Sequence, residues 1–352
     1  MVYSRPVRRV LALVVAAICA ALAGAGAGGA RTPDAASYAY GARGHAPQLT
    51  VRAGQAPAGF TGGPVTATNG ETVTVYVEDA LLAADPNAGR HWADVLAGLL
   101  HGPELGAVTV YIATLDRVRQ VCGQGALGCY GQNRLVSIGE DLRGVTAQSV
   151  ITHEYGHHVA DNRLNDPWPA VEWGTKRWAS YVNVCKRAQT GELVPGDEGR
   201  FYRLNPGEAF AEDYRVLNER RAGLPESPWG VVDDSLYPDQ TALDLLAQDV
   251  TTSWTTMTTT NYRVVLGAGA SGRGFRVPTL LDGEFTATLT SPAKVRFTLR
   301  VVDLASGKVI AADATGLRVK TLTVSVCGER SLQVQVKRVS GSGTFSLAVS
   351  TP

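Results

Sequence analysis

The pattern of hydrophobic and polar positions divides the chain of 352 residues near residue 255. Before that point, short runs rich in β-branched residues precede longer segments in which apolar positions recur every three or four residues. Strands followed by helices are typical of an α+β domain. The predicted strands are Thr72–Val77, Val108–Ala113 and Arg134–Ile138, and the predicted helices are His91–Leu100, Thr146–Asn162, Lys176–Ala188, Pro206–Arg221 and Asp239–Val250.

After residue 277 the pattern becomes short alternating segments separated by turn residues, which predicts a small all-β sandwich. Its predicted strands are Glu284–Leu289, Val295–Val301, Lys308–Ala311, Thr321–Val326, Leu332–Val336 and Thr344–Val349. The predicted organisation is a signal peptide at 1–30, a linker or pro-segment at 31–68, an α+β domain at 69–255, a Thr- and Gly-rich linker at 256–277 and the sandwich at 278–352.

The N-terminus has the three-part order of a secretory signal peptide. Arginines at positions 5, 8 and 9 precede an apolar stretch from Val10 to Leu22, and small residues follow it. A membrane anchor is the alternative, but the apolar stretch is shorter than the roughly 20 residues that span a bilayer. We therefore expect a secreted, extracellular protein with no membrane attachment after cleavage.

The cysteines that remain after cleavage are Cys122, Cys129, Cys185 and Cys327. An even number of cysteines in an exported chain indicates disulfides, and four cysteines allow three connectivities. Cys122 and Cys129 flank a Gly-rich loop, so we predict that they pair locally and that Cys185 pairs with Cys327. Two free buried thiols are the alternative.

The overall charge does not favour a nucleic-acid partner. The chain has 33 Lys and Arg against 32 Asp and Glu. Binding to the phosphate backbone of a nucleic acid normally needs a basic excess. We therefore predict no nucleic-acid partner. The sequence does not reveal the oligomeric state, and a monomer is assumed.

The segment His153-Glu154-Tyr155-Gly156-His157 carries the clearest chemical signal. In a helix, residues four apart lie on one face, so both imidazoles can bind one metal ion. Glu154 lies beside them, where it can accept a proton from water rather than bind the metal. His158 should point elsewhere. The alternative is a charged helix face with two incidental histidines.

A catalytic zinc ion usually has three protein ligands, so one ligand remains to be found. Since no histidine follows His158, we expect a carboxylate. The helix that begins at Pro206 presents Glu208 and Glu212 on one face. Either acid could be the ligand, and an ordinary solvated helix face is the alternative to both.

These two motifs, His153-Glu-Tyr-Gly-His157 and Glu208-Ala-Phe-Ala-Glu212, resemble those of the gluzincin branch of the zincin metallopeptidases, the second most closely in the form seen in anthrax lethal factor. The resemblance covers about residues 108–220. It implies that Glu208 binds zinc and that Glu212 supports a zinc-bound histidine.

The resemblance also implies two further features. Tyr202 lies close to the place where the lethal-factor type has a functional tyrosine, so it is a candidate transition-state donor, although an ordinary packed tyrosine is an equal alternative. Zincins have an edge strand that pairs with extended peptide, and Arg134–Ile138 is our candidate for it. The gap of 51 residues from His157 to Glu208 and the Glu at position 212 depart from the thermolysin-like pattern, so Glu212 stays an alternative ligand.

The C-terminal region resembles the pre-peptidase C-terminal domains of secreted bacterial proteases in the segments Val336–Val339 and Gly343–Leu347. Together these features predict a secreted zinc endopeptidase that acts on a polypeptide substrate. Two alternatives remain: a non-catalytic surface or adhesion protein with a vestigial zinc site, and a zinc amidase that acts on cell-wall material.

Overall fold

A computed structural model describes residues 56–267 and 269–352. The predicted signal peptide and most of the predicted segment 31–68 lie outside the described residues. No helix among those described is long and apolar enough to cross a membrane.

A five-stranded mixed sheet forms the scaffold of the N-terminal region, with strand order β1-β2-β3-β5-β4. Strands β2, β3 and β5 run parallel, while β1 and β4 are antiparallel edge strands. Their bounds are Phe60–Thr66 for β1, Thr72–Glu78 for β2, Thr109–Ala113 for β3, Gly128–Gly131 for β4 and Arg134–Ile138 for β5.

Strand β1 lies within the segment interpreted as a linker, which is a correction to that interpretation. Its sequence includes Gly62, Gly63 and Pro64, and most of its side chains are exposed. A strand at the edge of a sheet can tolerate proline and exposed residues, so it lacks the alternation that marks a half-buried strand.

Helices cover the sheet and complete the N-terminal region. They are α1 (Asp79–Ala84), α2 (Ala88–Gly98), α3 (Leu115–Cys122), α4 (Ala147–Asp161), α5 (Ala170–Trp173), α6 (Lys176–Tyr181), α7 (Val184–Gln189), α8 (Pro206–Ala222) and α9 (Gln240–Thr251). A two-stranded hairpin of β6 (Leu164–Asn165) and β7 (Trp168–Pro169) precedes α5. The predicted helix Lys176–Ala188 is instead two helices, because Asn183 adopts a left-handed conformation with φ of 58° between α6 and α7.

Helices α4 and α8 cross at a glycine, and this crossing brings their functional residues together. The hydroxyl of Thr146 accepts a hydrogen bond from the backbone of Ser149 and caps α4. The crossing point on α4 is Gly156, where a Cβ would lie 2.9 Å from the Cα of Ala211 in α8. Only glycine allows the two backbones to approach this closely.

The C-terminal region is a sandwich of two four-stranded antiparallel sheets around its own apolar core. The first sheet has the order β13-β10-β15-β8 and the second β12-β11-β14-β9. The strands are β8 (Thr258–Leu266), β9 (Gly272–Thr279), β10 (Gly283–Thr290), β11 (Arg296–Asp303), β12 (Val309–Asp313), β13 (Val319–Val326), β14 (Arg330–Ser340) and β15 (Gly343–Thr351).

Strands β8 and β9 correct the interpretation of residues 256–277 as a linker. Both strands lie at sheet edges and contain mostly exposed threonine, arginine or glycine residues. The sandwich therefore begins at Thr258.

Both predicted disulfides are confirmed, Cys122 with Cys129 and Cys185 with Cys327. The second disulfide links α7 to the end of β13, and hydrogen bonds reinforce this junction. The Lys176 Nζ donates to the backbone oxygen of Asp282 at 2.8 Å, and the backbone N–H of Asp282 donates to the Ser180 hydroxyl at 2.9 Å. Disulfides of this kind are compatible with an extracellular protein.

Candidate metal centre

Helix α4 carries both motif histidines in the interior, where they face α8. The side chains of His153 and His157 are almost fully buried, and their ring centres lie 5.0 Å apart. His158 points away from them, as the helical spacing predicts. Its Nε2 lies 2.9 Å from the backbone oxygen of Glu104 and its Nδ1 lies 3.2 Å from the hydroxyl of Tyr130.

Glu208 lies opposite the two histidines, in the first turn of α8. One carboxylate oxygen of Glu208, Oε2, is 3.3 Å from His153 Nε2 and 3.4 Å from His157 Nε2. The Asn205 side chain and Pro206 fix the start of this helix, since the Asn205 amide oxygen accepts from the backbone of Gly207. The carboxylate therefore projects from a well-defined helix end.

The separations among these three atoms suit a metal ion. Zinc ligands lie about 2.0–2.2 Å from the ion, so two ligands in tetrahedral positions are about 3.3–3.5 Å apart. Candidate ligand atoms of His153, His157 and Glu208 all lie within 4.8 Å of one another. This buried group of two nitrogens and one oxygen can hold a metal ion, and its chemistry fits zinc.

The charge state of Glu208 also fits this role. Burial raises the pKa of a carboxyl group, but the charges and hydrogen bonds of His157 and His153 outweigh burial here and hold the pKa of Glu208 below its usual value. Glu208 is therefore ionised, as a metal-binding carboxylate must be.

Glu154 lies beside this group without belonging to it. Its carboxyl group is completely buried, and neither oxygen has a hydrogen-bond partner among the described residues. Burial raises the pKa of Glu154 well above its usual value, and the nearby acids Glu208, Glu198 and Glu212 raise it further. A buried carboxyl group with unsatisfied oxygens requires a polar partner such as water or a ligand.

Tyr202 approaches the group from a short 3-10 turn, Tyr202–Leu204, that precedes α8. Its hydroxyl donates a 2.6 Å hydrogen bond to Oε2 of Glu208. Burial, together with the charge of Glu208 and this hydrogen bond, raises the pKa of Tyr202 well above its usual value. The phenol is therefore protonated and can act as a donor.

Glu212 lies on the far side of His153 from Glu208. Its Oε1 is 3.9 Å from His153 Nδ1, which is ion-pair distance rather than a hydrogen bond. Its other oxygen accepts a 2.5 Å hydrogen bond from Nε of Arg215, and Arg215 also donates to Glu219 at 2.6 Å. Glu208 is therefore the acid that faces both Nε2 atoms, and Glu212 lies on the Nδ1 side of His153.

Three residues of this centre were not singled out from the sequence. Arg215 is fully buried within α8. Its spacing of three residues from Glu212 and four from Glu219 is the sequence feature that could have indicated its ion pairs. Glu198 raises the pKa of Glu154 and accepts a hydrogen bond from Asn205, and Gly128 lies against Glu154. No local pattern marks Glu198 or Gly128, because both contacts join distant segments.

The candidate edge strand requires a correction. Strand β5 (Arg134–Ile138) lies inside the sheet between β3 and β4, so it cannot pair with a further strand. The edge strand beside α4 is β4 (Gly128–Gly131). Strand β4 has no clear signal in the sequence, because its four residues are mostly glycine and cysteine rather than β-branched residues.

Comparisons with known proteins assign no family. No protein-family model and no curated protein matches the chain. Among solved structures, the pre-peptidase C-terminal domain of collagenase from Bacillus anthracis matches 26% of this chain and 88% of its own, with 13% identity and a TM-score of 0.24. The Yersinia pseudotuberculosis-derived mitogen matches 27% of this chain and 87% of its own, with 16% identity and a TM-score of 0.23. At these TM-scores neither likeness carries an argument.

Proposed function

We propose that this protein is a secreted zinc-dependent endopeptidase that hydrolyses peptide bonds. One observation carries the proposal: the unpartnered carboxyl group of Glu154 is buried directly beside the group of His153, His157 and Glu208. Metal-assisted hydrolysis needs three protein ligands that hold the metal ion and a separate group that accepts a proton from water. The three residues could be the ligands, and Glu154 could be that group.

A zinc ion held by the three ligands would polarise the scissile carbonyl and lower the pKa of water to about 7. Glu154 would accept the proton of the attacking water at a carboxylate oxygen and then pass it to the nitrogen of the leaving amine. Burial and neighbouring acids favour the protonated form of Glu154, which is the form that donates to the leaving amine, whereas the first transfer needs the ionised form. Bound zinc would oppose this effect.

Tyr202 and strand β4 are proposed to act on the substrate. The Tyr202 hydroxyl contacts Glu208, so a modest rotation could direct it to the carbonyl oxygen on which negative charge develops. The open side of β4 can pair with an extended peptide through main-chain hydrogen bonds. Such pairing would deliver a peptide bond next to Glu154, since Gly128 at the start of β4 touches that side chain.

The proposal is tested with purified protein by zinc analysis and by digestion of casein, with cell-wall fragments as the second substrate. We expect about one zinc per chain and cleavage of casein, and we expect Glu154→Gln to retain zinc while losing activity by orders of magnitude. Release of cell-wall fragments without cleavage of casein would favour an amidase. Equal turnover by Glu154→Gln and the parent would contradict the mechanism, and zinc binding without any hydrolysis would favour a non-catalytic protein.

A further inference from the structure

The two regions of the chain carry opposite net charges, although the whole chain is nearly neutral. Residues 56–255 contain 15 Lys and Arg against 26 Asp and Glu, a net charge of −11. Residues 256–352 contain 12 Lys and Arg against 5 Asp and Glu, a net charge of +7. Charge asymmetry between parts of a chain favours binding of the basic part to an anionic partner.

The outer face of the second sheet of the sandwich concentrates this charge. Strand pairing aligns Arg300 of β11 with Gln335 of β14 and Gly274 of β9. The adjacent rows of the same face contain Lys337 on β14 and Arg276 on β9. No acidic side chain lies in these rows within the described strands. Arg276 and Lys337 are exposed and Arg300 is partly exposed.

The cations of this face have no ion-pair partner among the described residues. Two basic residues elsewhere in the sandwich are instead engaged within it: Arg330 pairs with Asp303 at 2.6 Å, and Lys320 donates to backbone oxygens. The outer face of the first sheet differs, because its exposed positions are mainly threonine and serine. The cationic face, defined as Arg276, Arg300, Lys337, Gln333 and Gln335, is therefore a specific feature of one sheet.

We propose that the cationic face binds a linear acidic polysaccharide that carries carboxylate groups. The guanidinium groups of Arg276 and Arg300 can pair with carboxylates through two parallel hydrogen bonds. Between the cations lie the amides of Gln333 and Gln335, which contact each other at 2.7 Å and can hydrogen-bond sugar hydroxyls. The inference concerns the sandwich alone and does not depend on the proposed hydrolase activity.

Two further features favour a sugar polymer over a nucleic acid. Binding of single-stranded nucleic acid normally uses aromatic side chains on which bases stack, and the described rows of this face contain no aromatic residue. Gly272 and Gly274 leave two β9 positions of this face without side chains, so a sugar ring can approach the sheet more closely there than beside Arg276. The Gln333 amide extends toward Gly274, since a Cβ at that position would lie 2.8 Å from the amide nitrogen.

The test uses the purified protein with both regions present and measures binding to polygalacturonate, with dextran as an uncharged polymer and duplex DNA as a different polyanion. The face variant is Arg276→Gln/Arg300→Gln/Lys337→Gln. The matched control is Arg263→Gln/Lys294→Gln/Lys308→Gln, which removes the same number of exposed positive charges elsewhere in the sandwich. Thermal unfolding of both variants checks that each one folds.

We expect the parent to bind polygalacturonate but not dextran, with affinity that falls as salt is added. The face variant should bind about tenfold more weakly, the size expected from the loss of three exposed ion pairs, and the control should stay within about twofold. Equal loss in the two variants would show that only bulk charge matters and would overturn the proposal. Tighter binding to DNA, lost in the face variant, would assign the face to nucleic acid instead.

Discussion

The carboxyl group of Glu154 occupies the space that a side chain at Gly128 would need. A Cβ built on Gly128 would lie 2.7 Å from both Cγ and Oε1 of Glu154. Because Gly128 begins the edge strand β4, this contact joins the proposed base to the strand that is proposed to bind substrate. The position of the Glu154 carboxyl group therefore depends on residue 128 of β4 having no side chain.

This relationship predicts that Gly128→Ala lowers kcat by about 10- to 100-fold while zinc content stays unchanged, since small displacements of a catalytic group can cost about that much. Steady-state peptidase kinetics and metal analysis measure the two quantities. The pH profile of kcat/KM should shift as well, because the environment of the Glu154 carboxyl group changes. Gly106→Ala is the control, since a Cβ there meets no atom within 4 Å. Unchanged kinetics in Gly128→Ala would refute the positioning role without affecting the proposed reaction.

The two histidines could be predicted from the sequence because their relation depends on local spacing, four residues apart on one helix face. Helix geometry leaves Glu208 and Glu212 as equal candidates for the third ligand, and the choice of Glu208 comes from the resemblance to gluzincins. The meeting of α4 and α8 at Gly156 then brings His153, His157 and Glu208 together. The sequence contains these residues, but it does not show that α4 and α8 cross at Gly156.

The edge strands could not be predicted because their position depends on long-range pairing. Strand β4 has four residues, and β1, β8 and β9 contain glycine, proline or exposed threonine rather than a clear alternation. Strands at an edge bury fewer side chains, so the hydrophobic pattern that reveals a central strand is weak in them. For the same reason the hydrophobic pattern favours β5 over β4 as the candidate edge strand, although β4 is the strand at the edge.

The opposed positions of Glu208 and Glu212 predict different effects on metal binding. Glu208→Ala should lose far more zinc affinity than Glu212→Ala, because Glu208 faces both Nε2 atoms while Glu212 lies 3.9 Å from Nδ1 of His153. Loss of an outer acid typically costs about 10- to 100-fold in affinity, and loss of a ligand should exceed this range.

Dialysis of both variants against a graded series of chelator concentrations, followed by metal analysis, measures the order of zinc loss. If Glu212→Ala releases zinc first and Glu208→Ala stays loaded, the two acids have exchanged roles. Zinc retention equal to the parent in both variants would place the third ligand elsewhere. Circular dichroism of each variant serves as the folding control, since Glu212 also contacts the buried Arg215.

The burial of Lys176 at the junction between the two regions predicts that the stability of the folded protein depends on pH. Its side chain is buried against the backbone oxygens of Asp166 and Asp282, and its ammonium group lies 4.5 Å from the ring centre of Trp254. Burial lowers the pKa of Lys176 to about 8, although the charges of Asp282, Asp166 and Asp249 oppose this change. In the unfolded chain the pKa of a lysine is about 10.4.

Between pH 8 and about 10.4 the unfolded chain therefore keeps a proton that the folded protein has released, so the free energy of unfolding should rise with pH across this window. Relative to Lys176→Met, the parent should gain on the order of 1 kcal/mol from pH 7.5 to pH 10, a value reduced to allow for solvent screening. Urea denaturation of the parent and the variant at several pH values measures the difference between their free energies of unfolding. Taking this difference removes the contribution of other groups that titrate in both proteins. Lys186→Met, at an exposed lysine of α7, should show no such trend. A difference that stays flat or falls as the pH rises would mean that the Lys176 ammonium is not destabilised by its burial.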